Sequence, residues 1–229
     1  KNNNSFRENT EEVKIINPIS SDLNVLRSSL YPNLILFLKK NLDRGFENQS
    51  LFEIGPSFIG KKPGQQKTII CGIRKENLLN IYDIKKDVVK TLVELDIDKN
   101  DTKINVKTPS YYHPGRSGSI ITKKDHQLLA YFGQIHPKII DNTYGFEIFL
   151  ENLVKYKSQN KKDKPTITFS DYQKSERDFA FVVQKNFQAQ ELIDIISNVD
   201  KSLIKNVKIF DVYQGENIPA DKKSIALKV

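Results

Sequence analysis

A polar stretch over residues 155–164 (K-Y-K-S-Q-N-K-K-D-K) closes on Pro165 and holds almost no apolar residue. Backbone there has nothing to bury against and its like charges repel, so residues 155–165 read as a linker. The consequence is strict: residues 1–154 and 166–229 must each build a core of their own. A chain of 229 residues has room for both. The densest apolar run, residues 34–38 (L-I-L-F-L), falls far short of the ~18 residues of a membrane span. No membrane partner is expected, and the N-terminal segment shows no export signal. The single cysteine, Cys71, excludes an internal disulfide framework and fits a reducing compartment, the cytoplasm. It lies in an apolar run (T-I-I-C-G-I) and reads as a buried, inert thiol. Methionine is absent and Lys1 opens the chain, so it reads as a piece of a longer product.

The net charge of +8 invites a nucleic-acid reading. Its distribution tempers that reading. Residues 166–229 carry nine basic and nine acidic side chains, so the whole excess precedes them, as lysines scattered among asparagine and isoleucine. Charge alone carries little weight here.

In the first block, Leu26, Leu30, Leu34, Ile35, Leu38 and Leu42 recur at helical spacing, with a start expected over residues 25–29 and Ser28 or Ser29 as cap. A strand is expected over 50–53, ending at Gly55-Pro56. Residues 83–95 form a second helix with Ile84, Val88, Thr91, Leu92 and Leu95 on one face. Residues 119–122 and 127–135 read as a hairpin, and 145–150 as a strand leading into Glu151. In the second block, residues 177–184 (R-D-F-A-F-V-V-Q), 207–213 (V-K-I-F-D-V-Y) and 224–229 are strands. Residues 189–199 are a helix with Leu192, Ile195, Ile196 and Val199 aligned. The order β-α-β-β is the opening of a ferredoxin-like βαββαβ unit. The fold class is therefore α+β, with a sheet domain followed by a truncated ferredoxin-like domain and an open sheet edge.

Two segments carry a family resemblance. Residues 17–58, with R-S-S-L-Y-P-N-L and L-F-E-I-G-P-S-F, resemble the beta subunit of bacterial phenylalanyl-tRNA synthetase, in its domain folded like a class II catalytic core. R-D-F-A-F-V-V, D-K-S-L-I-K-N-V, F-D-V-Y-Q-G and K-K-S-I-A-L are similar to that subunit's ferredoxin-fold anticodon-binding domain. The resemblance covers nearly the whole chain from Asn17 on. It implies a partner alpha subunit in an (αβ)2 heterotetramer, tRNA-Phe as ligand, and ATP with Mg2+ in the holoenzyme, though none in this chain.

Class II chemistry holds a phosphoryl transition state with fixed positive charge and metal. The family pattern for that is an Arg-x-Glu after the central strand and a Gly-rich strand followed by an arginine. This chain has neither. After L-F-E-I-G-P-S-F it continues I-G-K-K-P, and the Gly-rich counterpart reads G-F-E-I-F-L-E-N-L, where Glu147 and Glu151 would repel a phosphate. No catalytic residue is assigned. H-P-G-R-S-G, from His113 to Gly118, admits two readings: an anion site of arginine and successive N–H groups, or a tight turn with Arg116 paired to a carboxylate. The second is favoured. His113, His126 and His136 show no metal spacing.

Strand alternation sorts the second block's faces. It puts Ile225, Leu227 and Val229 inside with Phe179, Phe181, Phe210 and Val212. Asp178, Ile209, Asp211, Tyr213, Ser224 and Lys228 then face out. A carboxylate such as Asp211 suits the N1–H and N2–H donors of guanine, the first anticodon base the resemblance implies. Tyr213 offers a ring for stacking and Ser224 a hydroxyl. The resemblance itself places base contacts at Asp211 and Ser224; Asp178 and Lys228 complete the candidate set. The plainer alternative has Asp211 capping a strand end and Tyr213 half-buried. At the level of function, the rival to a non-catalytic synthetase subunit is a stand-alone RNA-binding or protein-interaction module.

Overall fold

Arg27 and Pro32 decide how the first unit begins. The computed structural model describes residues 3–6, 12–159 and 173–229, divided into two units, Lys1–Lys162 and Asp163–Val229. Strand β1 (Val13–Lys14) pairs with β2 (Val25–Leu26), so residues 25–26 are extended where the periodicity opens a helix. The Arg27 carbonyl then accepts from the Phe58 N–H at 2.9 Å. Helix α1 (Tyr31–Leu42) starts only after this tether. Pro32 sits in its first turn, where a missing N–H costs no helical bond. The Ser29 hydroxyl accepts from the Tyr31 N–H at 3.2 Å.

Six antiparallel strands follow: β3 (Gln49–Phe58), β4 (Gln66–Lys75), β5 (Thr102–Asn105), β6 (Tyr112–Thr122), β7 (Leu128–Ile135) and β8 (Tyr144–Phe149). Helix α2 (Ile81–Glu94) lies between β4 and β5, and α3 (Leu150–Gln159) leaves the end of β8. The sheet order is β3-β4-β8-β7-β6-β5. β3 runs straight through Gly55-Pro56, where the sequence reading stops it. The reason is its edge position. The Phe58 N–H and the Pro56 carbonyl both face Arg27 on the open side, so the proline nitrogen, two residues before Phe58, interrupts no ladder bond. Alternation splits β4 between two cores. Ile69, Cys71 and Ile73 pack under α1 with Leu30, Tyr31, Leu34 and Leu38. Ile70 turns to the other face, where Ile84, Val88 and Leu92 of α2 meet Ile120, Leu129 and Ile148. Asn80 closes a capping box with Asp83 at the start of α2.

Helix α3 carries the chain past residue 155, into the stretch read as linker. Tyr156 is the cause: it is buried and its hydroxyl donates to Asp101 at 2.7 Å. The remainder of the 155–165 linker lies outside the described residues.

The second unit holds β9 (Asp178–Gln184), α4 (Ala189–Val199), β10 (Lys208–Tyr213) and β11 (Lys222–Lys228), with sheet order β10-β11-β9, all antiparallel. Leu192, Ile225 and Leu227 are its buried centre, ringed by Val183, Ile196 and Ile209. Three expectations fail here. Ile195 and Val199 of α4 are exposed, since of the four aligned residues only Leu192 and Ile196 join the core. Ile209 packs inward although strict alternation turns it out, because a β-bulge lies between Ile209 and Asp211. Val212 pairs with the buried Ile225 but, like Phe179 and Phe181, stays exposed instead of inside, and Phe210 is the extra residue and is exposed.

Candidate nucleic-acid interface

The bulge is what assembles the open face of the second sheet. Residues directly opposite in an antiparallel ladder share a face, and the register gives three rows on the side away from Leu227 and Ile225. The middle row is Asp211, Ala226 and Ala180; one flank is Tyr213, Ser224 and Val182, the other Lys208, Lys228 and Asp178. All five sequence-predicted residues, Asp178, Asp211, Tyr213, Ser224 and Lys228, thus lie on one face. The structure then separates them into two groups.

Asp178 and Lys228 are engaged with each other. Lys228 Nζ stands 3.9 Å from Asp178 and 3.3 Å from Glu176, which also meets Lys174 at 2.6 Å. Hydrogen bonds from Lys174 and Lys228 hold the Glu176 carboxyl below its ordinary range. Asp211 and Ser224 are different. Among the described residues, neither the Asp211 carboxylate nor the Ser224 hydroxyl has a hydrogen-bond partner. Asp211 does not cap the strand end. Tyr213 is 47% exposed, and its hydroxyl donates to the Glu216 carbonyl at 3.4 Å. Between them, Ala180 and Ala226 leave a flat floor that a planar base can approach. Small residues carry no chemical signal, so neither alanine enters the site read from the sequence.

The first unit presents a filled face instead. Glu147 lies in the row Glu53, Cys71, Glu147, Tyr131 beneath α1. It is 3% exposed and accepts from the Tyr111 hydroxyl at 2.7 Å. Tyr31 and Tyr112 share a hydrogen bond of 2.6 Å beside it. Gly145 has Tyr31 directly over it; a Cβ there would lie 2.6 Å from the phenolic oxygen. Burial, then the neighbouring acidic groups, pushes Tyr31, Tyr111 and Tyr112 well above the ordinary tyrosine value. Glu151 accepts from the Thr68 N–H. Aromatic rings and a buried carboxylate fill this face, so these residues do not fit ATP or its metal.

The segment from His113 to Gly118 is a bulged part of β6, with a register shift between Tyr112 and Ser117. Arg116 donates to the Gln134 side-chain oxygen at 3.2 Å, so its partner is an amide and not the expected carboxylate. Its backbone is spent locally: the Gly115 N–H donates to His113 Nδ1 at 3.0 Å, and the Ser117 hydroxyl to the His113 carbonyl at 2.7 Å.

Comparison with known proteins decides the family. Residues 1–148 match the family described as phenylalanyl tRNA synthetase beta chain CLM domain, and residues 170–229 match the ferredoxin-fold anticodon binding domain. The chain belongs to the phenylalanine–tRNA ligase beta-subunit family. Beta subunits from Paramagnetospirillum magneticum and Rhodospirillum rubrum are 35% and 36% identical to it, over 98% of this chain. That from Rickettsia bellii is 36% identical over the same share. The chain spans 30% of the length of the first two relatives and 27% of the third. A pyrrolysyl tRNA synthetase, Desulfitobacterium hafniense PylSc, is similar over 65% of this chain and 53% of its own, with 19% identity and a TM-score of 0.48. The second unit is thus a ferredoxin-fold anticodon-binding domain, in a beta-subunit chain of mixed helices and antiparallel sheets.

Proposed function

We propose that this chain is the part of a phenylalanine–tRNA ligase beta subunit that holds the tRNA-Phe anticodon and supports the alpha subunit. The domain limits of the proposal are 1–154 for a class II-like, non-catalytic core and 166–229 for the anticodon-binding domain, joined by 155–165. Adenylate formation, with ATP and Mg2+, belongs to the alpha subunit in an (αβ)2 assembly. A reduced, buried Cys71 fits a cytoplasmic protein.

The observation that carries the reading is the convergence of Asp211, Tyr213 and Ser224 on one open sheet face, with the first and last holding unspent hydrogen-bonding capacity. A guanine offers N1–H and N2–H side by side, and a carboxylate accepts both. Stacking on Tyr213 orients the plane, and Ser224 supplies a further donor or acceptor. Asp178 and Lys228, paired with each other, border the bay.

The test uses the complete beta subunit with its alpha partner. Asp211→Ala is expected to lower kcat/KM for tRNA-Phe by roughly ten- to a hundredfold, the worth of hydrogen bonds to a charged group. Replacing guanine by inosine at the first anticodon position removes the N2 donor. It should cost the wild type several-fold and the variant almost nothing. Equal losses in both enzymes would overturn the reading.

A further inference from the structure

Gly215 follows β10 by two residues, on the loop that leads to β11, and its neighbour is the Tyr213 ring. A Cβ built on Gly215 would lie 2.5 Å from Tyr213 Oη, 2.8 Å from Cζ and 3.3 Å from Cε2. The first two are shorter than a real Cβ contact, so a side chain here forces the ring to turn away. Conformational freedom is not the reason for glycine here: the positive-φ residue of this loop is Asn217, at 71°. What position 215 requires is the absence of a side chain. The loop backbone lies against the phenol, and the Glu216 carbonyl meets its hydroxyl at 3.4 Å. Tyr213 is therefore held by the loop at its polar end while 47% of it remains exposed.

We infer that Gly215 is a positioning residue for the base-binding face: it lets the loop close on the Tyr213 phenol and so fixes the ring beside Ser224 and the alanine floor. This rests on the anticodon reading above. Any side chain at 215 pushes the ring off that position, and the stacking surface goes with it. Gly215 itself touches no base.

The experiment uses the complete beta subunit assembled with its alpha partner and tRNA-Phe transcripts. Gly215→Ala is expected to raise the KM for tRNA about tenfold, within the range that stacking on an aromatic ring supplies. The kcat and the KM for phenylalanine and ATP should stay put. Tyr213→Phe keeps the ring and removes the atom in closest conflict but leaves Cζ 2.8 Å from the new Cβ, so Tyr213→Phe/Gly215→Ala should recover only part of the lost affinity. In a Tyr213→Ala background, Gly215→Ala should add nothing. If Tyr213→Ala raises the tRNA KM but Gly215→Ala does not, the positioning role is overturned while the anticodon reading stands. An undiminished Gly215→Ala effect in the Tyr213→Ala background also overturns it, since the glycine would then act through the fold. If neither Tyr213→Ala nor Gly215→Ala moves the tRNA KM, the base-binding face itself is refuted.

Discussion

Glu147 sits on β8 beneath α1, and its surroundings explain how a carboxylate is kept there. Its acceptor capacity is directed at the Tyr111 hydroxyl, with Tyr31 and Tyr112 bonded to each other alongside. A buried polar cluster of this kind is stable only while its hydroxyls remain protonated. All three phenols have folded values above the ordinary 10.0, first because of burial. The sign follows directly: their contribution to stability is complete below about pH 10 and is lost as pH climbs toward the folded values. Phenolate absorbance at 295 nm should therefore lag in the native chain, compared with the same chain in urea, just above pH 10. It should catch up only as far-UV ellipticity is lost. Full ionisation with the fold intact would refute the buried cluster. The sequence offered Glu147 only as a charge that would repel phosphate. It did not show the tyrosines around it, since Tyr31 and the adjacent Tyr111 and Tyr112 come from segments distant from each other and from Glu147.

At the level of elements, local pattern and tertiary pairing disagree at three places, each with an identifiable cause. The start of α1 is displaced because the backbone at Arg27 is claimed by β3. β3 outlives Pro56 because it is an edge strand. Alternation in β10 fails at Ile209 because a bulge absorbs Phe210, and a bulge leaves no mark in hydrophobic periodicity. Of the remaining elements, α2, α4, β7, β8 and the strands of the second unit were legible because apolar periodicity and turn residues agreed with one another. Helix α3 was not, since its polar second half reads as linker, and β1, β2 and β5 are too short to show a period. The candidate face was legible for the same reason: the faces of β9 and β11 follow simple alternation, and Asp211 and Tyr213 lie beyond the bulge. Ile209 and Phe210 make this checkable. Ile209→Ala should destabilise the second unit by about 1–2 kcal/mol, a partly buried version of a core truncation. Phe210→Ala should stay within about 0.5 kcal/mol, like most surface changes. Strict alternation demands the reverse order, and urea unfolding of the two variants, followed by circular dichroism, decides between them.

Over the whole molecule, the two units differ in how well they bury what they have. The first encloses its sheet on both faces, with α1 on one side and α2 and α3 on the other. Among the described residues the second has a buried centre of Leu192, Ile225 and Leu227, while Phe179, Phe181, Ile195 and Val199 stay exposed. Phe179 and Phe181 stack with each other, ring centroids 6.4 Å apart, on the same face as that centre. Among the described residues β9 pairs only with β11. A unit of this size with so small a centre has little stability to spare, because ordering its backbone costs about as much as its burial returns. Chemical unfolding of the chain should therefore proceed in two steps, which violates two-state behaviour. The second unit should go first, at low urea, with a shallow slope set by the small surface it exposes. The first should follow at higher urea with a steeper one. Amide hydrogen exchange read by residue assigns the steps: β9, β10 and β11 should exchange rapidly at urea concentrations where β4, β7 and β8 are still protected. A single transition in which both sheets lose protection together would mean that the two units stabilise each other, and that neither can be treated as a separate folding unit.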